Sequence, residues 1–295
     1  MKRSRWVQVT LLLGLLGSLS LAHAEHDRCG SSQHEGELLR LGNGNSRQGA
    51  VIYYQRQLAA DEARLAADDP QLIADMEVLV RMHEGVGDTA AAEALATKAA
   101  ERARGAKPTP ALATALYGLG SYFAAHGAFG QAEELLGRAV ACASPAGSLE
   151  LTLALQTHAE ALLSLKRPAE AAGQLQRALV LLKAKPRADL STAFALRKLA
   201  QAYADLGQLS QAETTLAAAA EAFRQRSGDD YWGTAEIVDD HAQLLRRLGR
   251  VSEAVKLEAH ARKVLSAAAS DQRLDSAARL RWRSRVEALD ARKAK

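Results

Sequence analysis

Between Ala113 and Ala146 the apolar residues fall on two stripes of helical spacing, separated by one turn at Gly127. Counted from Gly120, Phe123, Gly127, Ala132, Leu136 and Ala139 stand at offsets 3, 7, 12, 16 and 19, an order of small, large, turn, small, large, small. Two antiparallel helices in close contact call for this order. Small residues at Gly120, Ala132 and Ala139 let the axes approach to about 8–10 Å, while Leu116, Phe123 and Leu136 fill the surrounding space. A glycine inside a helix costs about 1 kcal/mol relative to alanine, so Gly120 marks a contact. Gly127 suits the left-handed conformation that ends a helix.

The order recurs. From Ala159 it gives Leu162, Lys166, Ala171, Leu175 and Ala178, and from Ala200 it gives Tyr203, Gly207, Ala212, Leu216 and Ala219. Fainter copies start at Val80 (His83, Gly87, Ala92, Ala96, Ala99) and at Ala242 (Leu245, Gly249, Ala254, Glu258, Ala261), so the origins lie 40, 39, 41 and 42 residues apart. A near-constant period of this size is what stacked hairpins require, because each buries its apolar faces only against its neighbours.

LGSYF with Gly127 and AEELLGRA, and LAQAYADLG followed by AETTLAAA, resemble the signature of the tetratricopeptide repeat (TPR) family: LGxxY, a turn glycine, then AxxxLxxA. The resemblance covers about Ile73 to Ser266, with a spacing like the family's longer, roughly 42-residue variety. It implies an all-α fold, a right-handed superhelical solenoid of antiparallel helix hairpins. The sequence departs from the family pattern at His158 and His241, where leucine is usual, at Lys166 in place of the turn glycine, and at Glu258 in an apolar position.

The first 24 residues carry Lys2, Arg3 and Arg5, an apolar stretch from Val7 to Leu21, then Ala22, His23 and Ala24, the order of a secretory signal peptide cut after Ala24. A membrane anchor is the competing reading, but Gln8, Thr10, Ser18 and Ser20 interrupt a stretch shorter than the ~20 apolar residues that spanning needs. Export to the periplasm is the expectation. Without the leader's three basic residues the formal charge of +4 falls to near +1, which argues against general nucleic-acid binding. The basic excess is confined to the end of the chain, where seven Lys or Arg from Arg279 to Lys295 meet Glu287 and Asp290. An even cysteine count in an oxidising compartment makes a Cys29–Cys142 disulfide the expectation, with two free thiols as the alternative.

The expected organisation is a leader over 1–24, a flexible tail over 25–48 and an N-terminal capping helix over 49–72. Hairpins follow at about 73–106, 113–146, 152–185, 193–226 and 235–268, then a basic C-terminal capping helix over 269–295 that uses Leu280, Trp282, Val286 and Leu289. Pro70 is read as ending the first helical region; Pro108, Pro110, Pro145, Pro186 and Gly228 fall between hairpins.

The chain has no phosphate-cradling glycine loop, GxSxG turn, HExxH or CxxC, so no catalytic residue, metal or cofactor is expected. His26, Cys29 and His34 lack a fourth metal ligand; His158 and His241 are read as packing residues, and the pairs Asp229–Asp230 and Asp239–Asp240 as solvated surface. In the TPR family the first helix of each hairpin lines the concave groove. The resemblance therefore implies a partner-binding ladder at Glu77 and Arg81, Tyr117 and Ser121, Gln156 and Glu160, Arg197 and Gln201, and Asp239 and Gln243, with Arg246 nearby. Such a ladder suits an extended peptide backbone. The function expected is a non-catalytic scaffold or adaptor of the bacterial envelope that holds a protein or peptide. The alternatives are docking of the basic C-terminal helix on anionic lipid or a partner, and an enzyme whose site lies between repeats.

Overall fold

The computed structural model describes residues 47–143, 149–183, 190–229, 231–272 and 276–293; the leader, the tail as far as residue 46, Cys29 and the candidate ligands His26 and His34 lie outside them, while Arg47 and Gln48, expected in the tail, are helical. Every regular element among the described residues is a helix. They run α1 (Arg47–Glu62), α2 (Pro70–Val86), α3 (Thr89–Ala103), α4 (Pro110–Ala125), α5 (Phe129–Cys142), α6 (Leu149–Ser164), α7 (Pro168–Lys183), α8 (Leu190–Asp205), α9 (Leu209–Ser227), α10 (Trp232–Arg247), α11 (Val251–Ser270) and α12 (Ser276–Lys293).

Local chemistry sets the helix starts. Asp69, Asp88 and Thr109 accept hydrogen bonds from the backbone N–H groups of Gln71 (2.8 Å), Ala91 (3.2 Å) and Leu112 (3.1 Å). A cap of this kind stabilises a helix by about 1 kcal/mol. Pro70, expected to end a helical region, instead begins α2 just after its Asp69 cap, as Pro110 begins α4. Proline at the first helical position lacks only an N–H that has no partner there anyway.

The same device closes all five hairpin turns. Asp88, Ala128, Arg167, Gln208 and Arg250 donate their N–H to the carbonyls of His83, Phe123, Leu162, Tyr203 and Leu245 at 2.8–3.0 Å. The residue before each donor has positive φ, as this C-terminal motif requires. It is Gly87, Gly127, Gly207 or Gly249 in four turns and Lys166, at φ 61°, in the fifth. Inside the α4–α5 hairpin, a Cβ on Gly120 would sit 2.6 Å from Leu136 Cγ. That contact explains the mid-helix glycine.

The chain divides into two compact units, one extending to Leu181 and one running from Leu182 to Lys295. In the N-terminal unit α1 packs on α2, and the first helices α2, α4 and α6 lie side by side in that order. Its core includes Ile73, Met76, Leu112, Leu116, Leu119 and Leu136, all buried. In the C-terminal unit α8 pairs with α9 and α10 with α11, and α12 packs against α11. One core there gathers Ala193, Leu216, Phe223 and Ile237; another gathers Ala235, Val264, Leu265, Trp282 and Leu289. Val286 packs against the second core, but Leu280, expected on that apolar face, is 62% exposed, and Ala278 is buried there as well.

Candidate functional site

The first-helix face of the N-terminal unit is built around Glu77, Tyr117 and Glu160. Glu77 on α2 is buried, and its carboxyl rests against the backbone of α4, where a Cβ on residue 118 would fall 2.1 Å from its Oε1. Gly118 is thus the seat for that side chain. Arg81, one turn on, places Nε 2.8 Å from Glu77 Oε1. Burial pushes the Glu77 carboxyl above the ordinary carboxylate range, and Arg81 only partly opposes it. Tyr117 on α4 is half-buried. Burial raises its hydroxyl pKa, hydrogen bonding from Ser121 and Thr157 lowers it, and the charges of Glu160 and Glu77 raise it further. The phenol therefore stays neutral at ordinary pH, able to donate and accept. Ser121 and Gln156 are half-buried, and Glu160 is exposed.

Three residues of this face escaped sequence reasoning. Thr157 adjoins Gln156 and approaches Tyr117, while Glu84 stands 3.9 Å from His126 across the ends of α2 and α4. Burial raises the Glu84 carboxyl, with His126 and Arg81 opposing. None occupies a repeat position that the groove rule selects.

The corresponding face of the C-terminal unit is filled. Asp239 on α10, expected as solvated surface together with Asp240, is fully buried and receives Arg285 Nε at 2.8 Å and Arg292 Nη2 at 2.6 Å. Asp240 accepts from Arg197 Nε at 2.6 Å and also pairs with Arg285. Glu236 accepts from the Trp282 indole at 3.1 Å and from Arg197 at 3.3 Å. Glu258, the acid in an apolar repeat position, is held by both ends of the Arg246 fork at 2.8 Å and lies 3.5 Å from Arg292. Hydrogen bonding from Arg246 depresses the Glu258 carboxyl below its ordinary value. Burial lowers the Arg285 pKa, but Asp240, Asp239 and Glu236 more than offset it.

Arg197, Asp239 and Arg246 are therefore engaged inside the unit, and only Gln201 and Gln243 of its ladder are exposed, the latter 3.3 Å from Asp239. The missed residues are Glu236 and the α12 arginines. Their sequence signal was the pairing of Trp282 and Leu289 with Arg285 and Arg292 on one helical face, together with the misplaced Glu258.

The two repeat-equivalent histidines have different settings. His158 is buried with Nε2 3.7 Å from Glu133 Oε1, whereas half-buried His241 lines a cleft of about 320 Å³ with Glu213, Arg250 and Glu253. Burial lowers both imidazole pKa values, against Glu133 and Glu213 respectively. Among the described residues no three His, Cys, Asp or Glu side chains gather as metal ligands, and no helix is long and apolar enough to cross a membrane. Cys142 is half-buried near the end of α5. Asp229 is exposed, 3.8 Å from Arg224, while Asp230 lies outside the described residues.

A stack of antiparallel hairpins closed by identical turns is the TPR-like helical solenoid repeat fold, and solved structures agree. BtubC from P. vanneervenii superposes at a TM-score of 0.61 with 16% identity, over 77% of this chain and 91% of that one. A kinesin light chain from Podosopora anserina with nearly identical TPR-like repeats gives 0.57 with 18% identity, over 68% and 99%. A Rap protein complexed with competence and sporulation factor gives 0.51 with 14% identity, over 78% of this chain and 61% of that one. No family model and no curated protein matches the sequence.

Proposed function

We propose that this protein is a non-catalytic interaction module that holds an extended segment of a partner protein along the α2–α4–α6 face. The observation that carries the reading is the polar cluster around Tyr117, where Ser121, Thr157, Glu160 and Glu77 act on its hydroxyl, Arg81 pairs with Glu77, and Gln156 is half-buried next to Thr157 in the chain. Among the described residues, the helices packed on α2, α4 and α6 are their neighbours in the stack. A half-buried phenol flanked by amide, hydroxyl and carboxylate groups offers both rigid area and paired donors and acceptors to a peptide backbone. The Rap structure, a complex with competence and sporulation factor, is a precedent of fold for such a role.

The leader-like order of Lys2 to Ala24 supports a periplasmic setting, with a mature chain that begins at Glu25. Mass spectrometry of envelope-fractionated protein tests this; a retained Met1 contradicts it. For binding, the parent is used to recover a partner from an envelope extract, and affinity is then compared with a Tyr117→Ala, Gln156→Ala double variant. The expected loss of affinity is more than ~2 kcal/mol, with the helical circular dichroism spectrum at the assay temperature unchanged. Equal affinity overturns the assignment to this face.

A further inference from the structure

The closure of the C-terminal unit is chemically unusual. Ala278, Trp282, Arg285, Leu289 and Arg292 recur at alternating four- and three-residue steps, the seam of a helix that packs along its length on a partner. A seam that merely seals a core would be apolar throughout. Here two of its five positions are arginines, and they meet Asp239, buried at 0% exposure, and Glu258 at 4%. Exchanging such buried ion pairs for well-packed apolar residues is often neutral or stabilising, and in some proteins such pairs instead select one partner and register. The acids cannot stand alone either. With α12 lifted away, Asp239 loses both of its arginine partners and faces Asp240 and Glu236 on the same helix.

We infer that the face formed by Glu236, Asp239, Asp240 and Glu258 is a recognition site for an arginine-bearing amphipathic helix, and that α12 is its resident, displaceable occupant. The partner class is a protein presenting a helix with an aromatic residue followed by arginines three and ten positions later, the pattern of Trp282, Arg285 and Arg292. The indole reaches Glu236, the first guanidinium spans Asp239 and Asp240, and the second bridges Asp239 and Glu258. Planar, forked donors suit this set of carboxylates as a lysine would not. Tethering gives α12 an effective concentration on the order of mM, so the intact chain is closed to weak competitors. This site stands independently of the α2–α4–α6 reading.

The probe is a fluorescent peptide of residues 276–293. A full-length Arg285→Glu, Arg292→Glu variant, whose own helix is repelled, is expected to bind it at least tenfold more tightly than the parent does, and adding Asp239→Asn should remove the gain. A second protein, with a protease site inserted between α11 and α12, decides the matter even if that variant fails to fold. After cutting, α12 should exchange with the labelled peptide, faster as salt rises, while a peptide with both arginines changed to glutamate should not exchange. Cut α12 that stays in place until the whole unit unfolds overturns the inference, as does equal exchange of the charge-reversed peptide.

Discussion

The two units treat equivalent positions of the repeat in opposite ways. In the N-terminal unit the position three before each origin carries Glu77, Tyr117 and Gln156, and the Glu77–Arg81 ion pair on that face is local to one helix. In the C-terminal unit the same position carries Arg197 and Asp239, and both reach across to neighbouring helices. The difference lies less in the ladder itself than in what lies on it. α12 brings arginines to one face, whereas the other keeps a neutral phenol and polar side chains half-exposed. A repeat position does not by itself make a binding residue; in the resting chain it is open to a partner only where no helix of the chain already covers it.

The largest expected effect tests the filled face. Asp239→Ala leaves Arg285 and Arg292 short of a buried counter-ion and should cost about 3–5 kcal/mol. Both tryptophans of the described residues, Trp232 and Trp282, belong to the C-terminal unit, so urea unfolding followed by tryptophan emission reads that unit directly. Glu77→Gln, an isosteric loss of charge at the equivalent position of the other unit, should change stability by less than about 1 kcal/mol in urea unfolding followed by circular dichroism, because burial already opposes the ionised carboxyl. Equal costs would erase the distinction between the faces.

Overpacking comes next. Ala212 is fully buried in the α8–α9 hairpin, and Ala212→Leu should destabilise the C-terminal unit by ~1–3 kcal/mol. A thermal midpoint equal to the parent's would mean that the small position of the repeat is not a tight contact.

The pH dependence of the two faces differs in sign. Glu258 titrates below its ordinary value in the folded chain, so its contribution is present above the unfolded pKa and is lost as pH falls through the lower folded one. Glu77 titrates above its ordinary value, so its contribution is full below the unfolded pKa and is lost as pH rises through the folded one. Melting from about pH 3 to about pH 7 should therefore show Glu258→Gln reducing the acid loss seen by tryptophan emission. Glu77→Gln should act oppositely, raising stability more at the upper end of that range than at the lower. Parallel pH profiles for both variants would contradict the opposed environments.

The smallest effect concerns the exceptional turn. Lys166 adopts a left-handed conformation that glycine holds in the other four hairpins, and Lys166→Gly should stabilise the N-terminal unit by about 1 kcal/mol. A loss of stability would mean that the lysine side chain makes a compensating contact.

Much of the fold was legible because it is local. The small residue at each origin, the large residue three later and the turn residue seven later are set by close helix contact and by one capping motif. A period near 40 residues then repeats the arrangement. Pro70 was misread because proline ends one helix and begins another equally well, and only the Asp69 cap distinguishes the two. The candidate site was half legible. Repeat position selected Tyr117 and Glu77, but not Thr157 or Glu84, which lie on the same first helices one residue or one turn away from the selected positions. Asp239 was misjudged because its partners lie 46 and 53 residues away. No periodicity links them, although Glu258 in an apolar position and arginines on a seam were the two visible halves of that network.

The most direct test of the central claim places a photocrosslinking residue at equivalent exposed positions, one after the origin in each unit: Glu160 in one full-length chain, Gln243 in another. After irradiation of the full-length protein, with α12 seated, mixed with the partner recovered on the parent, the account predicts an adduct from position 160 and none from position 243. Adducts from position 243 alone, or equal adducts from both, would contradict it.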